Sequence, residues 1–113
     1  MRTHPYVTNN EFNLFLTNLK RQKSKPENDL PVVNVSGIEA DEYCKYAGGR
    51  LPTSEELEGQ WCALWEWTST IVDGDREICG PPFGDATINV RAAGRLRYEP
   101  DFRDLNLGFR CIK

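Results

Sequence analysis

Residues 48–58 read GGRLPTSEELE, and this stretch dictates a helix that stops, a turn, and a second helix that starts. Gly48 and Gly49 lack a Cβ and can take positive φ, which suits the C-terminal stop of a helix. Leu51 supplies an apolar anchor for the turn, and Pro52 pre-sets φ just ahead of the next helix. Thr53 and Glu56 have the spacing of a capping box, in which the hydroxyl serves one backbone N–H and the carboxylate reaches back to another. Ser54, Glu55 and Glu56 add oxygen and negative charge at the positive helix end. These are the residues of a structural junction, not of an active site.

The same capping grammar occurs twice before it. Thr8 and Glu11 form a box ahead of Phe12, Phe15, Leu16 and Leu19, whose spacing predicts a first helix over roughly residues 9–23. Its last turn would hold Lys20, Arg21 and Lys23, read as a solvated cationic helix end. THPYVT (3–8) reads as a short strand delivering that helix, and SKPENDLP (24–31) as a loop. PVVNVS (31–36) looks like a short buried strand, and Ser36 with Glu39 then caps a second helix. On that helix Ala40, Tyr43, Cys44 and Ala47 share one face, so Cys44 points inward. A short third helix, opened by Thr53, carries Leu57 and Trp61 on its buried side.

Beyond Trp61 the pattern changes to a period of two. CALWEWTSTIV (62–72) alternates Leu64 and Glu66 with Trp65 and Trp67, which places at least two of the three tryptophans in the core. Asp73-Gly74 marks a hairpin that returns through REIC (76–79). TINVR (87–91) reads as a strand, AAGRLRYEPDFRDLN (92–106) as mostly loop, and LGFRCIK (107–113) as a terminal strand with Phe109 and Cys111 opposite Arg110 and Ile112. Helices first and strands afterwards predict an α+β fold with a largely antiparallel sheet, organised as one domain over 1–113.

Charge removes several function classes. Seventeen acidic against fourteen basic residues leave a net charge of −3, the opposite of a nucleic-acid footprint. No apolar run has membrane-spanning length, and MRTHPYVTNNEF has no signal-peptide core, so no membrane association and no Sec export are expected. Cys44, Cys62, Cys79 and Cys111 permit three pairings, which the sequence alone leaves open. With no Cys-x-x-Cys and His4 as the single histidine, a structural zinc module is not expected.

The order of YVTNNEF (6–12), PVVNVS (31–36), EYCKYAGGRLPTSEELE (42–58), WEWTS (65–69) and LGFRC (107–111) resembles the formylglycine-generating enzyme (sulfatase-modifying factor) family. The resemblance implies a compact variant of the C-type-lectin-like fold, N-terminal helices packed on a small mostly antiparallel sheet. It also implies a structural disulfide between Cys44 and Cys111, with Cys62 and Cys79 as weaker candidates for a second pair. Departures from the family pattern bear on chemistry. Only CAL separates Trp61 from Trp65, so the glycine-rich turn with calcium-ligating groups is missing and Glu66 is left alone; the family's RGGSW-like segment reads CGPPF (79–83). The copper-binding cysteine pair that the oxidases carry upstream of GFRC is absent, with Phe83, Asp85, Thr87 and Ala92 in that region. The expectation is therefore no enzyme, no cofactor and no metal.

What remains is a non-catalytic ligand-binding or assembly module, with proteins of this branch implying a phage or bacterial accessory or receptor-binding role, in the cytoplasm or on a virion. The alternatives are a reduced formylglycine-type oxidoreductase and a regulatory pseudoenzyme that binds a paralogue or a substrate peptide. The candidate surface lies in the loops between Gly80 and Asn106: Phe83, Asp85, Arg91, Arg95, Arg97, Tyr98, Phe102 and Arg103. Tyrosine and arginine are enriched in interface hot spots, and these arginines would favour a protein or a small anionic ligand.

Overall fold

The structure is a computed structural model that describes residues 4–57, 63–80 and 95–113. Helices α1 (Asn9–Asn18), α2 (Gly37–Tyr46) and the single-turn α3 (Ser54–Leu57) come first. Strands β1 (Trp65–Val72), β2 (Asp75–Cys79), β3 (Arg95–Tyr98) and β4 (Leu107–Gly108) follow, in the sheet order β3-β2-β1-β4. β1–β2 and β2–β3 are antiparallel and β1–β4 is parallel. The fold is α+β.

All three capping boxes close. Thr8 Oγ1 accepts from Glu11 N at 3.1 Å while the Glu11 carboxylate accepts from Thr8 N at 2.9 Å. Ser36 and Glu39 repeat the arrangement, as do Thr53 and Glu56. The far end of α1 differs from the sequence expectation: the helix stops at Asn18. Lys20 takes φ 59°, with Arg21 N donating to Leu16 O and Lys20 N to Thr17 O, which is a Schellman stop built on a lysine. No glycine announced it, so the periodic signal ran on to Lys23. Lys20, Arg21 and Lys23 accordingly lie beyond the last helical turn, which holds no basic residue; Arg21 pairs with Glu42 and Lys23 with Glu27.

Both short strands expected before α2 are corrected to one bridge, Thr8↔Pro31. Val32 and Val35 are fully buried as a strand would bury them, but Asn34 at φ 57° breaks the extended run between them. Residues 95–98, expected as loop, form β3, because Leu96 lies opposite Ile78 and Tyr98 opposite Arg76 on β2. The terminal strand is reduced to the two-residue β4 and a bridge from Ile112 to Arg50. The Asp73-Gly74 hairpin forms with both residues at positive φ, 52° and 85°, the two-residue turn that matches strand twist. TINVR (87–91), Trp61 and Cys62 lie outside the described residues.

Trp65, Trp67, Ile78, Leu107 and Phe109 meet Phe12, Phe15, Val35, Ala40 and Tyr43 in one core. Trp67 Nε1 donates to Val35 O at 2.9 Å, so the ring is satisfied as well as buried. α3 covers the other sheet face, where Ser54 Oγ reaches Glu77 at 2.5 Å and Thr68 at 3.4 Å. Of the two glycines that end α2, Gly48 takes φ 86°. Gly49 is needed for space instead, since a Cβ there would run into the Ile112 carbonyl.

Candidate functional site

Of the surface residues named from sequence, Phe83, Asp85 and Arg91 lie outside the described residues, and for Arg95 only the β3 backbone is described, opposite Cys79. The other four fall into two places. Tyr98, Phe102 and Arg103 gather at the start of α2. Tyr98 and Phe102 stack with centroids 4.1 Å apart and planes within 9°, partly buried against the core. The turn between them closes with Phe102 N donating to Glu99 O at 3.0 Å, with Pro100 at its second position, where a fixed φ is favoured. Pro100 O in turn accepts from Ile38 N at 3.2 Å, fastening the turn to α2. Arg103 forms an ion pair with Glu39, the same carboxylate that closes the Ser36 capping box.

Arg97, next to Tyr98 on the strand, faces the opposite side and reaches Asp73 of the hairpin at 3.3 Å. The Asp73 side chain is 88% exposed, so this pair is screened by water and exchanges easily. Arg103 is tied more firmly, since its partner is also fixed by a backbone N–H. Lys25 is another cation with its charge engaged: Nζ donates to Val33 O at 3.0 Å and Asn34 O at 2.9 Å, and burial lowers its pKa below the usual lysine value.

A polar cluster that the sequence did not reveal lies inside the molecule. Arg110, which the alternation placed outward with Ile112, is only 8% exposed. Its guanidinium grips Glu66 with two bonds of 2.7 Å, Nε to Oε1 and Nη2 to Oε2, and lies 5.3 Å from the centroid of the Tyr6 ring. Tyr6 Oη accepts from Ala63 N at 2.8 Å and Leu64 N at 3.2 Å, which positions the entry to β1. Burial raises the Tyr6 pKa, and the Glu66 charge adds to the effect. The available signal was that a charged residue sits directly beside an aromatic one in each of the two motifs, Glu66 between the tryptophans of WEW and Arg110 after the phenylalanine of GFR.

Among the described residues, the donor set fits neither metal of the resembling family. Calcium wants six or more oxygens, and both carboxylate oxygens of Glu66 are occupied by Arg110. Copper(I) wants thiolates, and Cys44 and Cys111 are joined in a disulfide with Cα atoms 5.5 Å apart. Among the described residues, no group of three or more His, Cys, Asp or Glu is placed to hold a metal ion.

Comparison with family models matches the sulfatase-modifying factor enzyme 1-like domain over residues 3–63, more than half of the chain. The chain belongs to that family. The matched part of this sulfatase-modifying-factor-like chain holds all three capped helix starts, whereas WEWTS and GFRC lie beyond it. No curated protein matches the chain.

Proposed function

We propose that this sulfatase-modifying-factor-like chain is a non-catalytic binding or assembly module that keeps the family scaffold without its oxidative chemistry. One observation carries the reading: no cysteine stands between Cys79 and Cys111, and Cys111 is already bonded to Cys44. The Glu66–Arg110 pair supports it, because a carboxylate fully engaged by a buried guanidinium holds the fold together and is not offered to a substrate. The partner in this reading is a protein. A small anionic ligand at the described arginines would compete with Asp73 for Arg97 and with Glu39 for Arg103. Of the two placements, cytoplasm and virion, the disulfide favours the virion, since such bonds persist on oxidised surfaces and are rare in the cytosol.

Aerobic incubation of the protein with a Cys-x-Pro-x-Arg peptide, with and without copper, tests the reading by mass spectrometry. The expected result is an unchanged peptide. Catalytic conversion of its cysteine to formylglycine would overturn the proposal, and retention of the peptide without turnover would select the narrower role of a regulatory pseudoenzyme.

A further inference from the structure

The segment from Glu99 to Asn106 runs along the start of α2 and is fastened there by Ile38 N to Pro100 O, Asn34 N to Asp104 O and the Arg103–Glu39 pair. It consists of two successive turns. In the first, the exposed carboxylates of Glu99 and Asp101 have no partner among the described residues. They are not needed to cap α2, whose first N–H groups are served by Ser36 Oγ and the Pro100 carbonyl. In the second turn, Asp104 O accepts from Leu107 N and Asp104 Oδ1 from Asn106 N, which lifts Leu105 to the tip with 73% of its surface exposed. Turn tips ordinarily carry polar or glycine residues, and a leucine there contributes nothing to the core. Ile38, in the first turn of α2 beside Pro100, is 57% exposed. The cations of this face are spoken for, with Arg103 on Glu39 and Lys25 on two backbone carbonyls. Its unsatisfied groups are therefore two carboxylates and two apolar side chains.

We infer that the face formed by Ile38, Glu99, Asp101 and Leu105 is a docking surface for a protein partner that presents lysine or arginine beside an apolar side chain. This rests on the binding-module reading and reverses the charge that the arginine content alone suggests. A basic partner gains from the free carboxylates and covers Ile38 and Leu105. An acidic one would meet net negative charge, with three acids against one base between Glu99 and Leu105. The Tyr98–Phe102 stack beneath keeps the turns in place before binding, so little ordering is required.

The test is amide-resolved NMR of the full chain titrated with a twelve-residue lysine/leucine peptide and, separately, with a glutamate/leucine peptide of the same pattern. The lysine/leucine peptide is expected to shift amides clustered at residues 37–39 and 98–106. Affinity should fall by about tenfold or more in Glu99→Lys/Asp101→Lys and in Ile38→Ser/Leu105→Ser, while Arg97→Ala leaves it unchanged. Shifts from the glutamate/leucine peptide that vanish in Arg97→Ala would overturn the inference in favour of an anion-binding face. Shifts spread over the surface, or none from either peptide, would also overturn it without touching the peptide-turnover test of the module reading. Dimerisation in ultracentrifugation that is lost in Ile38→Ser/Leu105→Ser would assign the face to a second copy of the chain and overturn it too.

Discussion

A carboxylate with no exposed surface, like that of Glu66, is tolerable only while Arg110 stays on it. Removing one partner leaves the other charged and out of water, so Arg110→Met should cost about 3–5 kcal/mol of stability. The double change Glu66→Leu/Arg110→Met should cost less than Arg110→Met alone, because it removes the stranded charge along with the guanidinium. Urea unfolding followed by tryptophan fluorescence checks both, and losses that simply add would rule out the coupling. Period-two reasoning misplaced Arg110 for a physical reason. The ladder with β1 ends at Gly108, so Phe109 and Arg110 both turn inward and the alternation stops being informative. Glu66 was legible as a lone carboxylate, but its partner lies 44 residues along the chain and no local pattern joins them.

Helix starts were readable because each depends on two residues three apart, and all three closed as their spacing requires. The end of α1 was not, since it rests on a lysine in a conformation that is usually left to glycine. α3 carries a pH consequence. Arg50 forks onto Glu56 at 2.7 and 2.8 Å, and Thr53 N adds a bond of 2.8 Å, which together lower the Glu56 pKa from 4.5 to about 2. A carboxyl whose folded value is depressed gives stability that is present above its unfolded value and lost as pH falls through the folded one. The Glu56 contribution should therefore be complete above about pH 4.5 and fade as pH falls toward 2, more weakly at high salt because the site is exposed. A side-chain NMR titration should place the Glu56 midpoint near 2 and move it toward 4.5 in Arg50→Gln. A midpoint unchanged in that variant would assign the shift to the Thr53 amide instead.

At the scale of the molecule, the order of helices and strands was enough to give an α+β fold, while β3 was hidden in a stretch rich in arginine and turn residues. RLRY does alternate, and Leu96 and Tyr98 pack on the core, but four residues carry too little signal to stand out from a loop. The C-terminal segment is held by few backbone bonds: the two-residue β4, one bond from Val7 N to Phe109 O, and the Arg50–Ile112 bridge. The Cys44–Cys111 bond ties this segment to α2 across 67 residues, most of the chain. In the chain-entropy model, closing a loop of that length in the unfolded state contributes about 4 kcal/mol, a large share of the roughly 5–15 kcal/mol that holds a domain folded. The oxidised protein should therefore unfold at a clearly higher urea concentration than the same protein reduced with dithiothreitol. Comparing the two states of one sequence avoids the cavity and buried hydroxyl that a Cys44→Ser variant would introduce. Because the constraint acts on the unfolded chain, hydrogen exchange in the folded core of α1 and β1 should slow on oxidation only where it proceeds through global unfolding. Equal urea midpoints in the two states would mean that buried contacts of Phe109 and Arg110 hold the C-terminal segment, with the disulfide adding nothing.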